Sequence, residues 1–278
     1  MTTATVAELP APRHAGVLTS TALVTKRALV PFLRSPAMII FSPMQMIGFL
    51  LLFRYVFGGA IESGKGLGYG HGLSYIDFGA PGFIAAGVLF TMVTSATAMA
   101  EDMQKGFIDR MRSLPMPRHT VLVGRILADL VLLVWSLGVT TAVAFAIGYR
   151  LTGTWLDGLT AFALCLLFGF GLAWVFISLG LLIRDARTVQ FMMMPIFVLT
   201  FASSAYVPTN TMPGWLRAFA DHQPVTQMVE SVRALTLGDQ ATALLGHSAG
   251  YFIVRALIWT AGIFVVSFPL AVRLFERD

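Results

Sequence analysis

Two short stretches of this 278-residue chain have the spacing of known reaction chemistry. Gly59 to Lys65 reads GAIESGK. In a GxxxxGK loop, backbone amides cradle phosphate and the lysine meets the outer phosphates. That chemistry also needs Ser or Thr next, to hold magnesium, and a strand before the loop. Here Gly66 follows and an apolar run precedes, so the chain carries no recognisable ATP site of its own. Gly246 to Gly250 reads GHSAG, the spacing of a nucleophile elbow. An elbow needs a strand-to-helix turn, then an acid and a histidine later in the chain. No histidine follows His247, so this reads as a turn of small residues, with a serine hydrolase built on Ser248 as the alternative. His14, His71, His119 and His222 are scattered, and Cys165 is the single cysteine. Neither a metal cage nor an internal disulfide is expected from that pattern.

The remaining candidates are residues out of place in an apolar setting. Asp129 stands in an apolar run with Arg125 one helical turn before it. Ionisable residues there are functional candidates. Their i,i+4 spacing reads as an ion pair at a helix interface, with a proton relay as the alternative. Phe191, Met192, Met193, Met194 and Phe197 form a soft apolar cluster. Methionine adapts to varied shapes, so the cluster reads either as a substrate path or as lipid contact and helix packing.

The elements that position these residues follow from composition. The chain is 56% hydrophobic and only 12% charged. A soluble domain carries roughly 25% charged residues, so this chain cannot cover a water-facing surface. Six stretches approach the ~20 apolar residues that cross a bilayer. They run over about 37–57, 79–100, 121–149, 158–183, 188–207 and 251–272. Ser35-Pro36 before the first is a helix cap followed by a first-turn proline. If the N-terminus is cytoplasmic, only Arg54, Lys65, Arg150, Arg217, Arg233 and Arg255 fall outside, six of 19 basic residues. That bias predicts both termini inside. The expected division is a tail over 1–17 and one transmembrane domain over 18–278.

Three stretches are helical but do not span. Leu18 to Arg34 puts Leu18, Ala22, Leu29 and Leu33 on one face, as an interfacial helix does. Glu101 to Leu114 joins spans two and three on the inside. Met103, Phe107, Met111 and Leu114 recur at helical spacing, acids open the stretch and bases close it. Such a face in a polar loop needs a partner groove or the membrane surface. Pro208 to Gly250 is too polar to span and reads as short interfacial or re-entrant helices. Gly58 to Gly72 reads as a flexible outer loop.

Glu101 to Leu130 reads EDMQKGFIDRMRSLPMPRHTVLVGRILADL, and Ser203 to Leu235 reads SSAYVPTNTMPGWLRAFADHQPVTQMVESVRAL. These two motifs, in this order, closely resemble the ABC type-2 exporter permeases, in particular the daunorubicin-resistance DrrB-like group. The resemblance runs from about Thr19 to Phe275. It implies an all-α integral membrane protein with six transmembrane helices, an N-terminal elbow helix, a cytoplasmic coupling helix and short outer helices before the last span. It implies two copies of a separate ATPase subunit, which bind the ATP and magnesium, and a second permease that is identical or a sister chain. The coupling helix implied is Glu101 to Leu114, with Glu101, Asp102, Met103, Gly106, Phe107, Arg110, Met111 and Leu114 as its docking residues. The cargo implied is a hydrophobic or amphipathic drug, polyketide or lipid, with a cell-envelope lipid or polysaccharide as the alternative. The expected place is a bacterial plasma membrane, with lipid around the chain and no nucleic-acid partner. A passive channel or scaffold is the reading from a different class.

Overall fold

The structure is a computed structural model that describes residues 16–57, 74–112 and 119–276. The GAIESGK stretch, the whole Gly58–Gly72 loop and Leu114 lie outside these residues. Every element is helical among those described: α1 Val17–Arg34, α2 Pro36–Phe41, α3 Met44–Leu52, α4 Tyr75–Gln104, α5 Phe107–Arg112, α6 His119–Ala146 and α7 Trp155–Ile183. There follow α8 Ala186–Phe191, α9 Met193–Phe201, α10 Gly214–His222, α11 Pro224–Leu237, α12 Asp239–Leu245 and α13 Ala249–Glu276.

Five stretches are long and apolar enough to cross a membrane: 36–56, 75–104, 120–146, 155–183 and 249–276. The sixth is the shorter Ala186–Phe201. The expected fifth span, 188–207, is therefore cut short. Its helix is interrupted at Met192, between α8 and α9, and ends at Phe201. At ~1.5 Å per residue, 16 residues reach about 24 Å, less than a full hydrocarbon core of about 30 Å. The first span is also composite. Ser35 accepts from the Met38 amide at 3.3 Å and Pro36 sits in the first turn. Pro43 then separates α2 from α3, and Phe53–Phe57 widens into a π-helical turn.

Helix α4 is the axis of the bundle, buried along most of its length. Ser74 and Asp77 close its N-terminus, and Thr154 with Asp157 does the same for α7. Asp77 accepts from the Ser74 amide and hydroxyl, and Asp157 and Thr154 each accept from the other's amide, taking up N–H groups the helix leaves unpaired. Small residues let neighbouring backbones touch. A Cβ on Gly180 of α7 would lie 2.6 Å from the Ala96 carbonyl oxygen of α4, and one on Gly82 of α4 would lie 1.9 Å from that of Ala205. Close approach through glycine is how helices pack where no hydrophobic drive separates side chain from lipid. Cys165 is buried in α7.

The polar connection before the last span contains two unlike helices. On α10, Trp215 and Phe219 are exposed. In α11, every residue from Val225 to Leu237 is buried, against α4, α7 and α13. Arg233 at its centre is fully buried, which corrects its expected place among the outer-loop cations. The GHSAG stretch is the turn between α12 and α13, with Gly246 in the left-handed region at φ 74°. No strand precedes Ser248, so the elbow geometry is absent there.

Candidate functional site

The C-terminal end of α4 gathers most of the charge that the sequence singles out. Helix α4 runs without a break through Glu101, Asp102, Met103 and Gln104. The expected single loop helix from Glu101 is thus two pieces. The chain turns at Lys105–Gly106, with Gly106 at φ 61°, and resumes as α5. Glycine takes that conformation without the steric cost a side chain would add.

Asp102 reaches two helices at once. Its carboxylate lies 3.6 Å from Arg27 of α1 and 3.7 Å from Arg125 of α6. Arg125 continues to Asp129 at 3.3 Å, so the expected intramembrane pair forms, and it forms as part of a chain of charges. Asp129 is almost wholly buried. A carboxylate there needs its partner, because an isolated buried charge is costly. The Arg27 guanidinium also sits 3.0 Å over the Phe107 ring, tying α1 to α5. Thr25 donates to the Gly124 carbonyl at 3.0 Å, and a Cβ on Gly124 would come within 2.8 Å of Val24. The elbow helix is therefore seated on α6 through Ser20, Thr21 and Val24, while Leu18, Ala22 and Leu33 face away from the protein and Leu29 is half-buried.

A second arm leaves the same helix end. Gln104 donates to Asp185 at 2.8 Å. Asp185 caps α8 by accepting from the Thr188 amide at 2.8 Å. The Thr188 hydroxyl and amide together hold the Asp185 carboxyl below the usual carboxylate range. The C-terminal end of α4 thus has polar connections to α1, α6 and the start of the broken α8–α9 helix.

The apolar face of the coupling segment is not where the sequence puts it. Met103, Phe107 and Met111 pack against the chain's own core, and Ile108 is fully buried. Arg27 covers Phe107, and Met103, Phe107 and Met111 are each half-buried. What this turn presents to solvent is Gln104, Lys105 and Arg110. Lys105 pairs with Glu101 at 2.8 Å, which raises its ammonium above the ordinary lysine range. Arg110 donates to the Lys105 carbonyl at 2.9 Å and braces the turn.

The soft apolar cluster divides. Phe191 and Met194 point outward, while Met192 and Met193 pack on the core. Phe197 stacks on Phe201 at 4.4 Å, and Phe201 lies 4.4 Å from Tyr206. Phe49 and Phe53 on the first span and Phe83 on α4 complete a ring cluster, with Phe53 stacked 5.5 Å from Tyr206. The i,i+4 spacing of Phe49, Phe53 and of Phe197, Phe201 is the sequence signal for this cluster.

These features, a helix end that ties three other helices and an aromatic face beside a broken span, suit a moving membrane subunit driven from outside the chain. The ABC-2 type transporter family matches residues 19–237. The chain is 29% identical over 268 residues to the daunorubicin resistance ABC transporter permease protein DrrB1 of Streptomyces coeruleorubidus, covering 96% of this chain and 89% of that one. It is 25% identical over 274 residues to the probable doxorubicin resistance ABC transporter permease protein DrrC of Mycobacterium tuberculosis, covering 95% and 92%. The chain belongs to the ABC-2 type transporter family and is the multi-pass permease subunit of an ABC transporter, whose ATP is hydrolysed on a separate subunit.

Proposed function

We propose that this permease exports hydrophobic or amphipathic compounds from the cytoplasm or inner leaflet, drugs being the cargo class named for its relatives. Two ATPase subunits and a second permease, identical or a sister chain, complete the transporter. ATP and magnesium sit in the ATPase subunits. Both termini lie in the cytoplasm, and 18–278 acts as one transmembrane domain.

The observation that carries the reading is the hub at the inner end of α4. An ATPase that grips the polar turn at Gln104, Lys105 and Arg110 moves Asp102 with it. Asp102 draws on Arg27 and Arg125, and Gln104 draws on Asp185. The second connection leads into α8–α9, whose break at Met192 gives the span a place to bend. Bending there shifts Phe197 and Phe201 against Phe49 and Tyr206. Those rings line a path for apolar cargo, and this is where the substrate-path reading of Phe191 to Phe197 survives best. The ATPase-docking reading of Met103, Phe107 and Met111 gives way to the polar turn beside them. Glu101 holds Lys105 in that turn, and Gly106 supplies its bend.

Uptake of a fluorescent amphipathic drug into inverted membrane vesicles tests this, with the permease and its ATPase partner expressed together. Uptake is expected with ATP and not with a non-hydrolysable analogue. Equal flux without ATP would contradict the reading and favour a passive channel.

A further inference from the structure

On the side of the bundle away from the coupling turn, a cavity of about 590 Å³ opens between α10, α11 and the α12–α13 junction. It is large enough for the polar end of an amphiphile. Its chemistry is two-sided. On α11, Gln227 and Glu230 line it one helical turn apart, and both are more than nine-tenths buried. Gln227 gives its amide N–H to the Asp221 carbonyl at 2.6 Å, and Glu230 gives one oxygen to Arg233 at 2.9 Å. Gln227 Oε1 and Glu230 Oε2 remain without a hydrogen-bond partner. Buried acceptors left this way are costly and call for a donor.

The opposite wall is cationic. Arg217 and Arg255 both line the cavity. Arg217 is paired with Asp221 at 3.5 Å, which leaves Arg255 as the cation there without a carboxylate among the described residues. Its guanidinium lies 4.8 Å from the centre of the Tyr251 ring. His222 and His247 line the same space. A simple cation would meet Arg255 unfavourably, and a simple anion would meet Glu230. A ligand carrying both signs satisfies both walls.

The mouth adds the second half of the ligand. Tyr251, Val254 and Ile258 form an exposed apolar stripe down α13 that starts at the cavity itself. We infer that this cavity holds the zwitterionic ammonium–phosphate headgroup of an amphiphile, with its N–H groups on Gln227 and Glu230 and its phosphate on Arg255. The apolar tails lie along the α13 stripe. Neither the direction of transport nor the nature of the cargo enters this assignment. The amphiphile comes from the surrounding leaflet or from the transported pool, and the chemistry is the same.

Native mass spectrometry of the permease–ATPase complex, titrated separately with phosphatidylethanolamine, phosphatidylcholine and phosphatidylglycerol, tests it. Phosphatidylethanolamine is expected to bind best. Phosphatidylcholine has no N–H donor and phosphatidylglycerol no amine, so each should be weaker by about tenfold, the scale of one charge-assisted hydrogen bond. Gln227→Met should lower phosphatidylethanolamine to the phosphatidylcholine level, and Arg255→Gln should weaken all three lipids. Gln227→Leu, which also removes the acceptor and leaves the Glu230–Arg233 pair intact, is the second acceptor variant should Gln227→Met fail to fold. Equal binding of the three lipids, or unchanged binding in correctly folded variants, overturns the assignment. Stimulation of the ATPase by short-chain phosphatidylethanolamine would mark the ligand as cargo, and its absence would mark a resident lipid.

Discussion

Replacing Arg233 with methionine is expected to lower the stability of the permease by about 3–5 kcal/mol, the usual cost of breaking one side of a buried pair. Arg233 is the most demanding side chain in the protein. It is fully buried, pairs with Glu230 at 2.9 Å and donates to the Phe78 and Ser204 carbonyls at 3.0 and 2.9 Å. Its guanidinium lies 3.6 Å over the Phe78 ring. These contacts pin α11 to the start of α4 and to the chain leaving α9. Removing the cation leaves the carboxylate of Glu230 without the partner that neutralises it. The measurement is the unfolding temperature of the detergent-solubilised protein, with folded yield in the membrane as a second reading. A double change, Arg233→Met with Glu230→Met, should recover much of the loss, because no unpaired charge then remains. If the single change is harmless, α11 is held by its apolar contacts and not by this cluster.

The second large effect is functional. Asp102→Asn is expected to leave the permease folded and bound to its ATPase while transport falls. Among the described residues, Asp102 is the one acid that meets both Arg27 and Arg125. Asparagine keeps the shape and loses the charge. The hydrophobic packing of Met103, Phe107 and Met111 is untouched, so the fold should hold. Coupling between sites is typically worth roughly 1–3 kcal/mol, or about 5- to 150-fold in equilibrium. A fall in transported drug per ATP hydrolysed of at least about fivefold is therefore expected. The check is paired measurement of ATPase activity and vesicle uptake on the same preparation. Equal losses in both would indicate a general folding defect and count against a coupling role.

Much of the architecture is legible in the sequence because bilayer burial leaves a coarse signal. Long apolar runs and the Ser35-Pro36 start depend only on local residues. The fifth span is less legible. Its composition from Thr188 to Val207 is apolar enough to cross, yet Pro195 and the break at Met192 shorten it, and the chain turns back after Phe201 to meet α11. The coupling segment shows a different limit. Helical spacing correctly groups Met103, Phe107 and Met111, but periodicity cannot say which way a face points. Here it is half-buried against the chain's own core, and Arg27, eighty residues before Phe107 in sequence, lies across that ring. The Arg125–Asp129 pair is visible as an i,i+4 spacing, whereas its link to Asp102 is tertiary and leaves no local mark. Arg233 was hidden for the opposite reason. In a polar stretch an arginine reads as solvent-facing, and only the Glu230 three residues before it hints at a buried partner.

The central claim is that the turn at the inner end of α4 is where a separate ATPase drives this permease. Site-directed cross-linking tests it most directly. In a Cys165→Ser background, single cysteines are placed at Lys105, at Arg110 and, on the opposite side, at Trp215, and a short thiol-to-amine reagent is applied to membranes containing the ATPase. Adducts between permease and ATPase are expected from Lys105→Cys and Arg110→Cys and not from Trp215→Cys. Adducts from Trp215→Cys alone, or from none of the three while the complex still co-purifies, would contradict the account.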